Sequence, residues 1–145
     1  FLKELPSRQM VDGYADQFAD VDVDRVLDAL RLMRRASLLI RELEAYFARH
    51  DLSQLRFLMM ILIDREPERN CLAASEIAER LDVSRPVVTR TLQGLERAGL
   101  IAISENSEDA RSRNVTLTLS GKAKLDEVLP GYFAILHRPD PAADK

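Results

Sequence analysis

Polar side chains suited to nucleic-acid chemistry recur at helical spacing between residues 84 and 97. Arg85, Thr89 and Gln93 are four residues apart, so they share one stripe if this segment is helical. A guanidinium can donate two parallel hydrogen bonds to guanine, a glutamine amide can pair similarly with adenine, and a threonine methyl can contact thymine. One helix face with these groups fits the major groove of double-stranded DNA.

The flanking residues predict where this helix begins and ends. Ser84 is a suitable N-cap, Pro86 falls in the first turn, where a missing N–H is harmless, and Gly99 can end the helix. The amides at the N-terminus favour a phosphate. The opposite stripe is apolar and should be buried, namely Val88, Leu92 and Leu95. We assign the DNA-contacting face to Ser84, Arg85, Pro86, Thr89, Arg90 and Gln93.

A β-hairpin is predicted directly after this helix. The alternating run 115–119 indicates one strand, residues 100–104 the other, and the polar residues between them an exposed tip. Arg111 is a candidate for insertion into the minor groove, where narrow A·T tracts concentrate negative potential. Asp109 fits a supporting partner of Arg111 better than a DNA contact. Arg113 suits a phosphate contact and a solvated surface position equally well.

The remaining segments are predicted to be helices that position this unit. We expect a weak helix or arm in 1–20, a long helix from an Asp22 or Asp24 cap to about His50, and a helix over 54–64 capped by Ser53. A short helix over 74–81 precedes the DNA-facing one, with Asp82 in a left-handed turn. Ser120 should cap a last helix that Pro130 kinks or interrupts.

These elements define a mainly α (α+β) fold, a winged helix-turn-helix with a long N-terminal dimerisation helix and a two-stranded wing. The long helix would extend roughly 40 Å and is apolar on two sides, so it needs a second partner, which we expect to be a second copy. We expect an arm and dimerisation helix in 1–50, the DNA-binding domain in 51–120, and a dimerisation helix with a disordered tail in 121–145.

Composition restricts the function classes. The 145 residues carry a net charge of −3, which argues weakly against nucleic acid, but the DNA-facing helix has three arginines against one glutamate. The longest apolar run, 57–63, is too short to span a membrane, and no signal peptide is recognisable, so we expect a cytoplasmic protein. We find no catalytic grouping, metal-ligand spacing or cofactor motif, and expect no enzyme activity.

The ordered motifs of residues 51–133 resemble the MarR family of transcriptional regulators. The matching residues are Glu76-Ile77-Ala78, Val88-Thr89-Arg90, Leu95 to Ile101, Asp109-x-Arg111-Ser112 and Leu117-Thr118-x-x-Gly121. The resemblance implies a homodimer that represses genes from a pseudo-palindromic operator and is released by a small phenolic or anionic effector. It also implies a further C-terminal helix, where this sequence has a Pro-rich tail. At position 73 it implies a capping Thr, and the Ala73 found here loses that capping hydrogen bond, which would lower helix stability by about 1 kcal/mol.

Some residues have two interpretations. An effector pocket could include Met33, Ser37, Arg56, Phe57 and Met60, although such Met and Phe residues more often form a plain core. Cys71 could make the protein a thiol-based redox sensor, or be incidental to a loop. An alternative to the DNA-binding function is a protein-interaction module, in which the winged domain binds a protein partner instead of DNA.

Overall fold

The computed structural model describes residues 1–66, 69, 71–105 and 113–139. This part contains six helices and three strands. The helices are α1 (Arg8–Ala15), α2 (Val23–Ala48), α3 (Gln54–Asp64), α4 (Ala74–Arg80), α5 (Arg85–Arg97) and α6 (Leu119–Leu136). The strands are β1 (Leu72–Ala73), β2 (Ile101–Glu105) and β3 (Arg113–Leu117). The chain divides into two compact units, residues 1–43 and 44–145.

The first unit consists of α1 and most of α2. Ser7 caps α1, since its side chain accepts a hydrogen bond from the Met10 amide. Of the two predicted caps, Asp22 and Asp24, it is Asp22 that caps α2, because its carboxylate accepts from the Arg25 amide at 3.1 Å. Five large apolar side chains of α2 are exposed: Leu32, Met33, Leu38, Leu39 and Ile40. The two apolar stripes predicted for this helix are therefore partly uncovered.

The core of the second unit is built around aromatic rings. Phe47 of α2 stacks on Phe57 of α3 with ring centroids 4.4 Å apart, and Tyr132 of α6 lies 4.6 Å from Phe57. The Tyr46 hydroxyl donates to the Val128 carbonyl at 2.8 Å. A Cβ at Gly131 would lie 2.3 Å from that hydroxyl oxygen, so only glycine leaves room for it. These contacts attach the end of α2 to α6.

The sheet is antiparallel with strand order β1-β3-β2. β2 pairs with β3 from Ile101 opposite Leu117 to Glu105 opposite Arg113. Both strands of the predicted wing are confirmed within a residue or two of the expected ends. β1, with Leu72 opposite Val115, was missed because two residues have no readable period. The mainly helical winged architecture is otherwise as predicted.

Two local expectations were wrong, and a third was wrong in part. Thr118, not Ser120, caps α6, since its hydroxyl accepts from the Gly121 amide at 3.0 Å. Asp82 is not left-handed, since among the described non-glycine residues only Asp51 has a positive φ, of 56°. Leu81, which directly follows α4, is extended. Pro130 does not interrupt α6, which continues to Leu136, so of the two expected effects only the kink stays a prediction.

Candidate nucleic-acid interface

The ends of α5 are formed by the residues that the sequence indicated. Ser84 occupies the N-cap position with an extended backbone, but its side chain makes no capping hydrogen bond. At the other end Gly99 has a φ of 74°. Its amide donates to Glu96, and the Leu100 amide donates to the Leu95 carbonyl at 3.0 Å, which is the Schellman arrangement. The helix therefore spans 13 residues with a defined stop.

The two faces of α5 differ as expected. Val88, Leu92 and Leu95 are buried, with 0–3% of their surface exposed. The residues assigned to DNA are all exposed: Ser84, Arg85, Pro86, Thr89, Arg90 and Gln93. None of these side chains forms a hydrogen bond or ion pair with another residue in the described part of the chain. Their hydrogen-bonding groups are therefore available to an external partner.

The wing contributes one described cation. Arg113 begins β3, is exposed, and lies opposite Glu105 of β2, an acidic neighbour that partly offsets its charge. The predicted minor-groove residue Arg111 and its supporting Asp109 lie outside the described residues. Their roles therefore stay predictions.

A hydroxyl-centred joint connects the end of α5 to the start of α6. The Thr118 hydroxyl donates to the Gly99 carbonyl at 2.6 Å while accepting from the Gly121 amide. The Thr118 amide donates to the Leu100 carbonyl at 3.2 Å. A Cβ at Gly121 would lie 2.0 Å from that same carbonyl oxygen, so the approach requires glycine. This joint explains the Leu117-Thr118-x-x-Gly121 motif.

An ion-pair network lies beside α4, the first helix of the helix-turn-helix. Arg69 contacts Glu66 at 3.2 Å and Glu76 at 3.1 Å, and Arg80 contacts Glu66 at 3.1 Å. Hydrogen bonds from Arg80 and Arg69 lower the pKa of Glu66 below its usual value. The Glu76 carboxylate accepts from the Ala73 amide at 2.8 Å, which together with Arg69 lowers the pKa of Glu76. Ala73 supplies no side-chain cap, as predicted, but Glu76 satisfies its amide.

The residues considered for an effector pocket have different surroundings. Phe57 and Met60 are completely buried in the aromatic core of the second unit. Arg56 is half-buried, and its guanidinium lies against Gly94 of α5. Met33 is exposed and Ser37 half-buried in the first unit. Cys71 is half-buried directly before β1.

Sequence reasoning missed Gly94, Gly121 and Thr118 as positioning residues. Glycine inside a helix is destabilising relative to alanine, so the helical positions of Gly94 and Gly121 were a signal of a close neighbour that requires glycine. The sequence did not indicate which neighbour, because Arg56 and Leu100 belong to other elements.

No described helix is long and apolar enough to cross a membrane.

Comparison with known proteins identifies the family. The MarR family model matches residues 50–112. The HTH-type transcriptional repressor YetL of Bacillus subtilis is 33% identical over 134 residues, which cover 92% of this chain and 79% of YetL. The chain belongs to the MarR family. MarR proteins are transcriptional regulators, so the expectation that this chain is not an enzyme is confirmed.

Solved MarR structures have the same fold. Sco3205 of Streptomyces coelicolor, solved in complex with DNA, superposes with a TM-score of 0.77 at 19% identity, covering 86% of this chain and 81% of Sco3205. The M. tuberculosis regulator MOSR, also solved with DNA, gives a TM-score of 0.61 at 25% identity, covering 74% and 76%. The winged helix-turn-helix expected from the sequence is thereby confirmed.

Proposed function

We propose that this MarR protein represses transcription as a homodimer bound to a pseudo-palindromic DNA operator. One observation carries the proposal: the polar face of α5 is exposed and has no partner among the described residues, while its apolar face is buried. A DNA-bound MarR structure and a repressor relative support it. We also propose a cytoplasmic location.

We assign the contacts by chemistry. Arg85, Arg90 and Gln93 read base edges in the major groove, and Thr89 contacts a thymine methyl or a phosphate. Ser84 and Pro86 bring the N-terminus of α5 against a phosphate. Arg111, supported by Asp109, enters the minor groove, and Arg113 contacts a backbone phosphate.

Dimerisation follows from the exposed apolar residues of α2. The large side chains at 32, 33 and 38–40 are at least 39% exposed, and clustered exposed apolar side chains are typical of a protein–protein interface. A second copy would cover them, and the dimer would carry two α5 helices, one for each half of a two-fold symmetric site. The half-sites should then lie one helical turn apart, about 34–36 Å. Sedimentation would contradict this assignment if the chain stayed monomeric at micromolar concentration.

Release by a small phenolic or anionic effector is the second part of the proposal. Its candidate residues are Met33, Ser37, Arg56, Phe57 and Met60. Because Phe57 and Met60 are fully buried, a ligand that touches them must displace core packing. Titration of the DNA complex with 4-hydroxybenzoate, which is both a phenol and an anion, should release DNA in proportion to its binding; unchanged DNA affinity would refute this effector class.

The DNA proposal is tested by selection from a randomised duplex library, followed by fluorescence anisotropy of the selected sequence. We expect enrichment of a two-fold symmetric site, affinity that falls with salt, and weaker binding by Arg111→Ala. Affinity without sequence preference would instead favour a protein-interaction module. Peroxide treatment of the wild type and of Cys71→Ser separates redox control, which would act on the wild type alone.

A further inference from the structure

Gly94 lies in the interior of α5, where glycine is a poor helix former. The space beside it is occupied from another helix. A Cβ at position 94 would lie 2.6 Å from Nη2 of Arg56, 3.4 Å from its Cζ and 3.7 Å from its Nε. The guanidinium of an α3 residue therefore covers the glycine and takes the place that a side chain of α5 would otherwise fill.

Gly94 lies on the side of α5 that carries two exposed arginines, which relates this contact to DNA binding. Gly94 is four residues after Arg90 and three before Arg97, so all three share one side of the helix. Arg90 and Arg97 are exposed. The Arg56 guanidinium thus adds a positive charge between two arginines of α5, at a register position where α5 has no side chain of its own.

The Arg56 side chain also has no partner in the described part of the chain. Arg69 and Arg80, by contrast, are held by carboxylates. A half-buried guanidinium has five N–H donors in a planar fork that matches a phosphate. If α5 faces DNA as proposed, a backbone phosphate is the anion that this guanidinium would meet.

We propose that Arg56 binds a DNA backbone phosphate at the flank of α5, supplying from α3 the charge that position 94 lacks. The inference rests on the proposed DNA-binding function of α5. A phosphate contact carries no base information, so its loss should weaken binding to every sequence by a similar factor. It should also reduce the salt dependence of binding by about one phosphate equivalent per subunit.

The first experiment compares Arg56→Gln with Arg65→Gln by anisotropy on selected and scrambled duplexes from 50 to 200 mM salt. Arg65 lies just beyond the other end of α3, so its loss removes the same formal charge far from Gly94. We expect Arg56→Gln to weaken binding roughly threefold to tenfold on both duplexes, with a shallower salt slope. Arg56→Lys should retain most of the affinity, and Arg65→Gln should match the wild type.

The second experiment moves the arginine between helices. Arg56→Ala combined with Gly94→Arg returns a guanidinium to the same place from α5, so affinity and salt slope should recover relative to Arg56→Ala. Gly94→Ala should displace the guanidinium and weaken binding only when Arg56 is present. Thermal melting of each variant confirms that it is folded at the assay temperature.

The outcomes separate this inference from the proposed function. If Arg56→Gln keeps wild-type affinity and slope while Arg90→Ala loses binding, the phosphate contact is wrong and the DNA face of α5 stands. If neither change affects binding, both are wrong. Weaker binding with an unchanged salt slope, or no recovery in the double variant, would overturn the phosphate contact in favour of a purely structural role for Arg56.

Discussion

Replacement of Gly121 by alanine tests the joint that connects α5 to α6. The added Cβ would lie 2.0 Å from the Leu100 carbonyl oxygen and 3.0 Å from its carbonyl carbon. Because both are backbone atoms, they cannot rotate away as a side chain could. The start of α6 and the segment after α5 must therefore move apart by about 1.4 Å to reach an ordinary contact distance.

The magnitude follows from what this movement breaks. Overpacking of a close contact costs about 1–3 kcal/mol. The Thr118–Gly99 and Thr118–Leu100 hydrogen bonds cross the same joint, and each contributes about 1 kcal/mol. The better helix propensity of alanine offsets up to about 1 kcal/mol. We therefore expect a net loss of about 3 kcal/mol, which lowers Tm by roughly 10 °C in a chain of this size.

The assay is thermal unfolding followed by circular dichroism, with Gly13→Ala as the matched control. Gly13 is also helical, but a Cβ there meets no atom within 4 Å, so this variant should keep or raise Tm. At temperatures where Gly121→Ala is folded, it should also bind DNA more weakly, because the end of α5 has shifted. A Gly121→Ala protein with wild-type Tm would refute the rigid-backbone argument.

Three further predictions concern base reading, the core and pH. Gln93→Ala should relax preference at one base position by about 1–3 kcal/mol, seen in a repeated duplex selection; a uniform loss across all sequences would mark a phosphate contact instead. Tyr46→Phe should lower the free energy of unfolding by about 1 kcal/mol in urea titration, because the Val128 carbonyl loses its tyrosine donor; an unchanged midpoint would exclude this role. The pKa of Glu66 is lower in the folded protein than its ordinary value of 4.5, so below neutral pH the unfolded chain binds more protons than the folded one. The stability that the ionised Glu66 carboxylate contributes is therefore lost as pH falls below that value. Glu66→Gln should therefore flatten the decline in stability between about pH 5 and pH 3, and a decline as steep as that of the wild type would contradict the ion-pair network.

Most of α5 could be predicted because its determinants are local. Buried and exposed positions alternate with the helical period, so Val88, Leu92 and Leu95 could be separated from Arg85, Thr89 and Gln93 without coordinates. Gly99 ends the helix because a left-handed residue is needed there, a requirement that the residue type itself reveals.

The cap of α6 shows where local reasoning fails. Thr118 and Ser120 are both hydroxyl residues at plausible cap positions, and propensity alone does not distinguish them. Thr118 is the cap in the structure, and its hydroxyl also reaches the carbonyl of Gly99, a residue of the preceding turn that a local pattern does not include. Asp82 was assigned a left-handed turn by analogy, whereas an extended Leu81 begins that turn.

The amino-acid sequence by itself determined the helices, the wing strands, the polar face of α5 and membership of the MarR type, because hydrophobic periodicity and turn residues act over a few neighbouring positions. Only the tertiary structure decided which groups approach each other closely: Arg56 on Gly94, the Leu100 carbonyl on Gly121, and Tyr46 on Gly131. β1 likewise exists only through its pairing with β3. Such contacts join residues far apart in the chain, and their distances depend on how whole elements pack, which no short segment encodes.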